Sequence, residues 1–354
     1  MYLTASSLVP YLLQKGILST SALLNRDWSI LQNDSRRPVL RVTSTDGRGW
    51  IVKQPSPLDE PHVAMLDREA AFFQLTDEVL WARPLRPLMP RFRFYDPGVH
   101  VLIVEFLPHD TAADYLRRQN TRSQTLGRLL GNALAKVHIG MRPSRSHANF
   151  ISGRLPWVLQ IESSNSAGSG QAATEQLLAL IRGDRQLTGA LTRLRREWRQ
   201  NVLIHGDAKL DNILVRGGPQ PRAWLVDWAF AGFGDPAWDV GTVVHSCLLL
   251  WQHGITFTRD QSVDVSLGQA TLPLARFQAF TKEFLSTYSR TMNMAEDERR
   301  AFRRRVSLFA GAALIQSAVS MARVQKQVSS RQFATLQMGS HFLSDPLALS
   351  RFLA

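Results

Sequence analysis

The sequence predicts an α+β chain in two lobes, a small antiparallel β lobe followed by a larger, mostly helical lobe. Three observations carry this prediction. Short strand-like runs rich in β-branched and aromatic residues crowd the stretch from Ser29 to Leu107. One strong hairpin turn, Asp46-Gly47-Arg48-Gly49, lies inside that stretch. After Pro108 the apolar spacing becomes helical. The expected division is a helical extension over 1–28, an N-lobe over 29–107 and a C-lobe over 108–354.

The elements follow in order. Tyr2 to Leu24 reads as short helical pieces, with Pro10 and Gly16 as breaks. Ser29 to Leu31, Val39 to Thr43 and Gly49 to Lys53 read as three antiparallel strands. His62 to Leu75 reads as a helix with apolar positions at Leu66, Ala70, Phe72 and Phe73. Arg93 to Gly98 is a strand and turn, and Val101 to Leu107 a buried strand. In the second lobe, helices are expected over Ser123 to His138, Gln176 to Trp198 with an interruption near Gly183, Leu274 to Tyr288 and Glu296 to Val324. Ser163 to Gly170 is a flexible surface loop. Asn201 to Ile204, Ile213 to Val215 and Ala223 to Val226 are short strands.

Composition excludes several classes. The single cysteine, Cys247, rules out an intrachain disulfide and fits a cytoplasmic protein. No signal-peptide pattern opens the chain, and no apolar run reads as long enough to span a bilayer. The net charge of +13 implies affinity for anions such as a nucleotide. Nucleic acid is not an expected partner, because no nucleic-acid-binding motif stands beside the Arg-rich stretches. Only six of the 42 basic residues are Lys, yet two of the six, Lys53 and Lys209, occupy an apolar strand and a loop dense in acids and amides. Lys is the compact point charge that reaches phosphate.

That loop is His205-Gly206-Asp207-Ala208-Lys209-Leu210-Asp211-Asn212, and Leu225-Val226-Asp227-Trp228 follows it. Asp207 can take a proton from an attacking alcohol. Asn212 and Asp227 offer hard oxygen ligands for Mg²⁺, and Lys209 offers charge to a phosphoryl group in transfer. No zinc-ligand spacing, nucleophile elbow or Walker A loop competes with this chemistry.

With these motifs the chain resembles the aminoglycoside phosphotransferase and choline kinase family, a branch of the protein-kinase-like fold. The family's His-Gly-Asp, four residues and Asn runs intact from His205 to Asn212. Its metal-binding Asp matches Asp227-Trp228, and its Gly-Asp-Pro-Ala-aromatic-Asp pattern matches Gly234 to Asp239. The resemblance implies an ATP- and Mg²⁺-dependent transfer of the γ-phosphate to a hydroxyl, with another nucleoside triphosphate as an open alternative. It implies that Asp207 is the base, that Asn212 and Asp227 hold the metal, and that His205 and Asp239 brace the loop; Lys209, which many small-molecule members lack, instead resembles the loop lysine of protein Ser/Thr kinases. Lys53 would hold the α- and β-phosphates and Glu69 would pair with it, with Glu60 and Glu78 as competitors. Glu105, Phe106 and Leu107 would form the hinge against the adenine edge. The phosphate loop departs from the kinase pattern: Asn33 to Pro38 holds no Gly, and Ser35 with Arg36 or Arg37 would serve instead.

The acceptor stays open between a small molecule and a peptide. Two alternatives stand beside a small-molecule kinase: a peptide Ser/Thr kinase in natural-product peptide maturation, and a catalytically weak nucleotide-binding pseudokinase or scaffold. Few acidic residues besides Asp235 and Asp239 lie near the site in sequence, which argues against a polycationic acceptor. Oligomeric state is not readable from these residues.

Overall fold

A computed structural model of the chain describes residues 2–24, 28–33, 39–118, 122–140, 153–161, 172–256, 270–323 and 325–354. The expected loop at Ser163 to Gly170 and the turn carrying Ser35, Arg36 and Arg37 lie outside the described residues. The chain divides into two compact units. The first is Met1–His109 together with Trp224–Ala231, and the second is Asp110–Ala223 together with Gly232–Ala354.

The first unit is built on a five-stranded antiparallel sheet. Its strands are β1 (Trp28–Asn33), β2 (Val39–Ser44), β3 (Gly49–Lys53), β4 (Phe92–Asp96) and β5 (Val101–Glu105), in the order β1-β2-β3-β5-β4. The β2–β3 turn has Gly47 at φ 78°, a left-handed conformation that glycine adopts without steric cost. Helices α1 (Ala5–Gln14) and α2 (Thr20–Leu24) precede the sheet. They are not a separate extension in packing: Leu8, Tyr11 and Leu12 share one buried cluster with Leu40, Val42, Val52 and Ile103. Burial of those side chains is what holds the N-terminal segment to the sheet.

Pro10 does not break α1, contrary to the sequence reading. Proline removes one backbone donor, and the helix runs on through it, with Ser6, four positions earlier, on an exposed stretch. Gly16, at φ 66°, follows the C-cap Lys15 and ends the helix. Helix α3 (Glu60–Glu78) buries Leu66, Ala70 and Phe73, spaced by one and two turns. Because side chains alternate across a strand, Val52 enters the N-terminal cluster while Lys53 points to the opposite face, where it meets α3.

The second unit is helical. It opens with the short strand β6 (Asp110–Thr111), α4 (Ala112–Arg118), α5 (Ser123–Gly140), α6 (Ala172–Gly183) and α7 (Arg185–Arg196). Strands β7 (Val202–Ile204) and β8 (Ile213–Arg216) flank the motif loop, and β8 pairs antiparallel with β6. The chain then passes through β9 (Arg222–Leu225) and β10 (Gly232–Gly234), which pairs with β7. The remainder is α8 (Pro236–His253), α9 (Leu274–Thr291), α10 (Glu296–Ala322), α11 (Ser330–Ser344) and α12 (Ala348–Phe352).

Three of these helices organise the unit. Helix α8 is buried on nearly every side, with Val240, Val243, Val244 and Cys247 fully enclosed. Helices α5 and α9 pack closely because Gly131 leaves no side chain in the way. A Cβ there would stand 2.6 Å from the Phe284 carbonyl oxygen. Helix α10 corrects one sequence reading: by length and composition it could cross a membrane. Its apolar stretch is 67% buried among the other helices, as in a core helix.

Candidate active site

In the first unit, Lys53 on β3 is clamped by acids. Its Nζ donates to Glu69 Oε1 at 2.7 Å and to Oε2 at 2.8 Å, and to Asp227 Oδ1 at 3.2 Å. Glu69 is 2% exposed, so its charge is compensated inside the protein and not by water. The expected pair of Lys53 and Glu69 is therefore in contact, and neither Glu60 nor Glu78 replaces Glu69. Burial opposes the charge on Lys53, but Glu69 and Asp227 outweigh it and hold the ammonium above its ordinary pKa. Burial pushes the Glu69 carboxyl up, against the pull of Lys53 and with a further push from Asp227.

Glu69 also ties down the segment that carries Asp227. Its Oε1 accepts the backbone N–H of Trp228 at 3.2 Å. The Trp228 ring stacks on Phe72 of α3 at 5.0 Å, and its Nε1 donates to the Leu225 carbonyl at 2.9 Å. Arg68 of α3 donates to the Ala231 carbonyl at 2.9 Å. One helix thus fixes Trp228 and Ala231, and Asp227, just before them, sits at φ 68°. A left-handed non-glycine residue costs energy, and such residues persist where the surroundings over-determine them. Sequence spacing gave no sign of this conformation.

At the expected hinge, two of the three backbone amides are already used. The Glu105 N–H donates to the Arg91 carbonyl and the Phe106 N–H to the Gly49 carbonyl, both at 2.9 Å. The Phe106 ring lies under the Arg41 guanidinium at 5.2 Å. The Leu107 N–H has no backbone or side-chain partner among the described residues. Of the three expected hinge amides, it alone is open to a ligand.

In the second unit, the motif loop folds on itself. Lys209 Nζ and Asn212 Nδ2 both donate to Asp207 Oδ2 at 2.9 Å. Asn212 Nδ2 also donates to the Asp207 carbonyl at 2.9 Å. With its nitrogen committed to Asp207, Asn212 presents its amide oxygen as the group for a cation, and Asp227 presents carboxylate oxygen. Both are hard donors of the kind Mg²⁺ takes alongside phosphate and water, so the residues fit that ion. Asp207 and Lys209 stay partly open, their side chains 24% and 39% exposed.

The loop backbone is held from behind. Asp239, fully buried in the first turn of α8, accepts the His205 N–H at 2.6 Å on Oδ2 and the Gly206 N–H at 2.8 Å on Oδ1. Trp238 Nε1 donates to the Gly206 carbonyl at 2.9 Å. Gly206 has φ 82°, so a side chain there would be strained. His205 is fully buried, and its Nδ1 accepts the Asp207 N–H at 3.3 Å. Asp235 caps α8 through the Ala237 N–H at 3.0 Å and is bound by Arg305 Nε at 2.9 Å. Asp235 and Asp239 are thus consumed inside the fold, while Asp211 in the motif itself is exposed. Sequence reading gave no contact to Trp238, though it stands in the matched pattern, to Ser246, whose Oγ accepts the Leu210 N–H at 3.0 Å, or to Arg305. Each reaches its partner across more than 30 positions, and no local pattern marks such a contact.

Comparison with known proteins adds the following. The profile described as "Phosphotransferase enzyme family" matches residues 27–303. No curated protein sequence matches the chain. Among solved structures, the chain is similar to an ethanolamine kinase of Plasmodium vivax, with TM-score 0.58 and 12% identity over 98% of this chain and 89% of that one. It is similar to choline kinase LicA from Streptococcus pneumoniae, with TM-score 0.53 and 14% identity over 95% and 99% of the two chains. It is also similar to APH(2'')-IIa in its ternary complex with streptomycin and ATP, with TM-score 0.53 and 12% identity over 95% and 99%. At such identities the likeness is one of fold, and that fold is the α+β, protein-kinase-like one expected.

Proposed function

Because this chain belongs to the phosphotransferase enzyme family, we propose that it moves the γ-phosphate of ATP, with Mg²⁺, to a hydroxyl group of a small molecule or peptide. That it is a phosphotransferase with an alcohol acceptor follows from the family. The nucleotide, the metal and the assignment of residues are our reading. The observation that carries it is the convergence of Lys209 and Asn212 on one oxygen of Asp207, in a loop whose backbone a buried acid holds.

In this reading Asp207 orients the acceptor hydroxyl and takes its proton as the oxygen attacks phosphorus in line. Lys209, at the same carboxylate, offers positive charge to the phosphoryl group as it leaves the nucleotide. Lys53 holds the α- and β-phosphates, and Glu69 keeps its ammonium aimed. The Leu107 amide receives the adenine edge. Asn212 and Asp227 would hold Mg²⁺, which when bound neutralises phosphate charge. His205 and Asp239 shape the loop and touch no reacting atom. Some structural neighbours were solved with ATP or AMP, which supports nucleotide use.

Asp235 and Asp239 are 1% and 0% exposed and already bonded, so neither can receive a cationic substrate. Asp211, in the motif loop itself, is exposed, so the charge of the acceptor stays open. The test of the catalytic assignment is Asp207→Ala. Turnover of ATP with a screened set of alcohols should fall by about 10²–10⁴-fold, with little change in nucleotide affinity. Full activity in that variant would remove Asp207 from its role. A wild-type chain that binds ATP without turning it over would favour the scaffold alternative.

A further inference from the structure

Behind the motif loop lies a chain of buried polar groups that the proposed chemistry does not use. His138, in the last turn of α5, is fully buried. Its Nε2 stands 3.2 Å from Asp239 Oδ2, and its Nδ1 stands 2.7 Å from the Tyr288 hydroxyl on α9. Tyr288 is itself fully buried. Asp239 accepts the two N–H groups of His205 and Gly206, so it acts as a carboxylate and needs a donor from the imidazole. Nε2–H therefore donates to Asp239, and in the neutral ring Nδ1 accepts from the tyrosine O–H. The bonds then run in one direction, from Tyr288 through His138 to Asp239, where the loop amides meet them. Aligned bonds of this kind polarise one another in a low-dielectric interior. A buried tyrosine and histidine that served packing alone would be replaceable by phenylalanine and leucine at less cost.

We infer that His138 and Tyr288 are positioning residues for the phosphoryl transfer. With Asp239 they form a relay that fixes the backbone at His205–Gly206 and so aims the Asp207 carboxylate. The inference rests on the reading of Asp207 given above. It adds that the aim of Asp207 depends on α9, a helix beyond the motifs. The glycine-permitted closeness of α5 and α9 places the two side chains within reach.

The experiment is amide hydrogen exchange on the full chain, read peptide by peptide, with ADP release from MgATP measured in parallel. His138→Leu removes the donor to Asp239 while filling the space. Exchange at the loop amides of residues 205–206 should rise about tenfold or more, the scale of one lost charge-assisted hydrogen bond. Exchange in the middles of α5 and α9 should stay unchanged. His138→Gln keeps an N–H where Nε2 stood and should restore most of the loop protection. Tyr288→Phe, which deletes one oxygen and leaves the core filled, should give a smaller rise. In ADP release, His138→Leu should lower kcat about tenfold with KM for ATP unchanged.

Equal opening of α5, α9 and the loop in His138→Leu, with no rescue by Gln, would reduce the pair to core packing and overturn the inference. Unchanged loop exchange in both His138→Leu and Tyr288→Phe would overturn it as well. Loop opening with kcat intact would sever the relay from catalysis. If the wild type released no ADP with any acceptor, the functional reading would fail, while the exchange data would still decide whether the relay braces the loop.

Discussion

The candidate groups of the two units are stabilised in different ways. In the first unit, side chain is fixed by side chain: Lys53 is held between both oxygens of Glu69 and one of Asp227, with Glu69 sealed from solvent. In the second unit, the Asp207 carboxylate meets Lys209 and Asn212 yet stays partly open, and the buried constraint falls on the backbone, held by Asp239 and Trp238 from behind. A cation that only has to sit beside phosphate can be immobilised completely. A base that must accept a proton and release it cannot be locked into a buried ion pair, so the constraint moves to the main chain beneath it.

The largest test of this contrast is Asp227→Ala. Asp227 belongs to the side-chain half but is assigned to the metal, so metal-dependent ADP release should fall below detection while thermal unfolding stays cooperative. Unchanged Mg²⁺ dependence would break the assignment. Lys53→Met comes next. It leaves Glu69 buried without its cation and should cost about 3–5 kcal/mol of stability in denaturant unfolding, along with activity. Lys53→Met combined with Glu69→Leu should recover much of the stability and none of the turnover. If the double variant is as unstable as the single one, the buried charge is not the cause.

The smallest expected effect concerns pH and falls on the second unit. His245 on α8 is buried, with Nδ1 at 3.2 Å from the Thr242 carbonyl and Nε2 at 2.7 Å from Ser317 Oγ. Burial pushes it down to about 4, against the Thr242 bond and with help from the charge of Lys209. Its ordinary pKa is about 6.5. The folded state therefore resists protonation that the unfolded chain accepts. The contribution is fully present above pH ~6.5 and is lost as pH falls, the loss reaching about 3 kcal/mol by pH ~4. His245→Gln should flatten that part of the stability profile. An identical acid profile in wild type and variant would place the loss elsewhere.

Much of this site was legible in the sequence because its chemistry is local. Asp207, Lys209 and Asn212 share one short loop, and a strand followed by a helix sets Lys53 and Glu69 sixteen positions apart. What was not legible depends on distant contacts. The burial of α1 against β2 and β3 involves residues no periodicity links to one another. Helix α8 is buried on nearly every side, polar residues included, so it shows no amphipathic stripe to read. Pro10 looked like a stop because its tolerance depends on which carbonyl it orphans. His138 closes a helix that spacing did predict, but nothing in that spacing says the imidazole meets an acid 101 positions later.

The membership of Trp224–Ala231 in the first unit has a consequence for how the molecule is made. A ribosome delivers the five strands and α3 early, yet the piece that carries Asp227 and the Trp228 plug for Phe72 arrives only after nearly two-thirds of the chain has been synthesised. Until then the buried Glu69 waits without the Trp228 amide. A fragment ending at His109 is thus an incomplete body rather than a detachable nucleotide module, and nascent chains stalled before position 224 should be open to proteases where the finished protein is not.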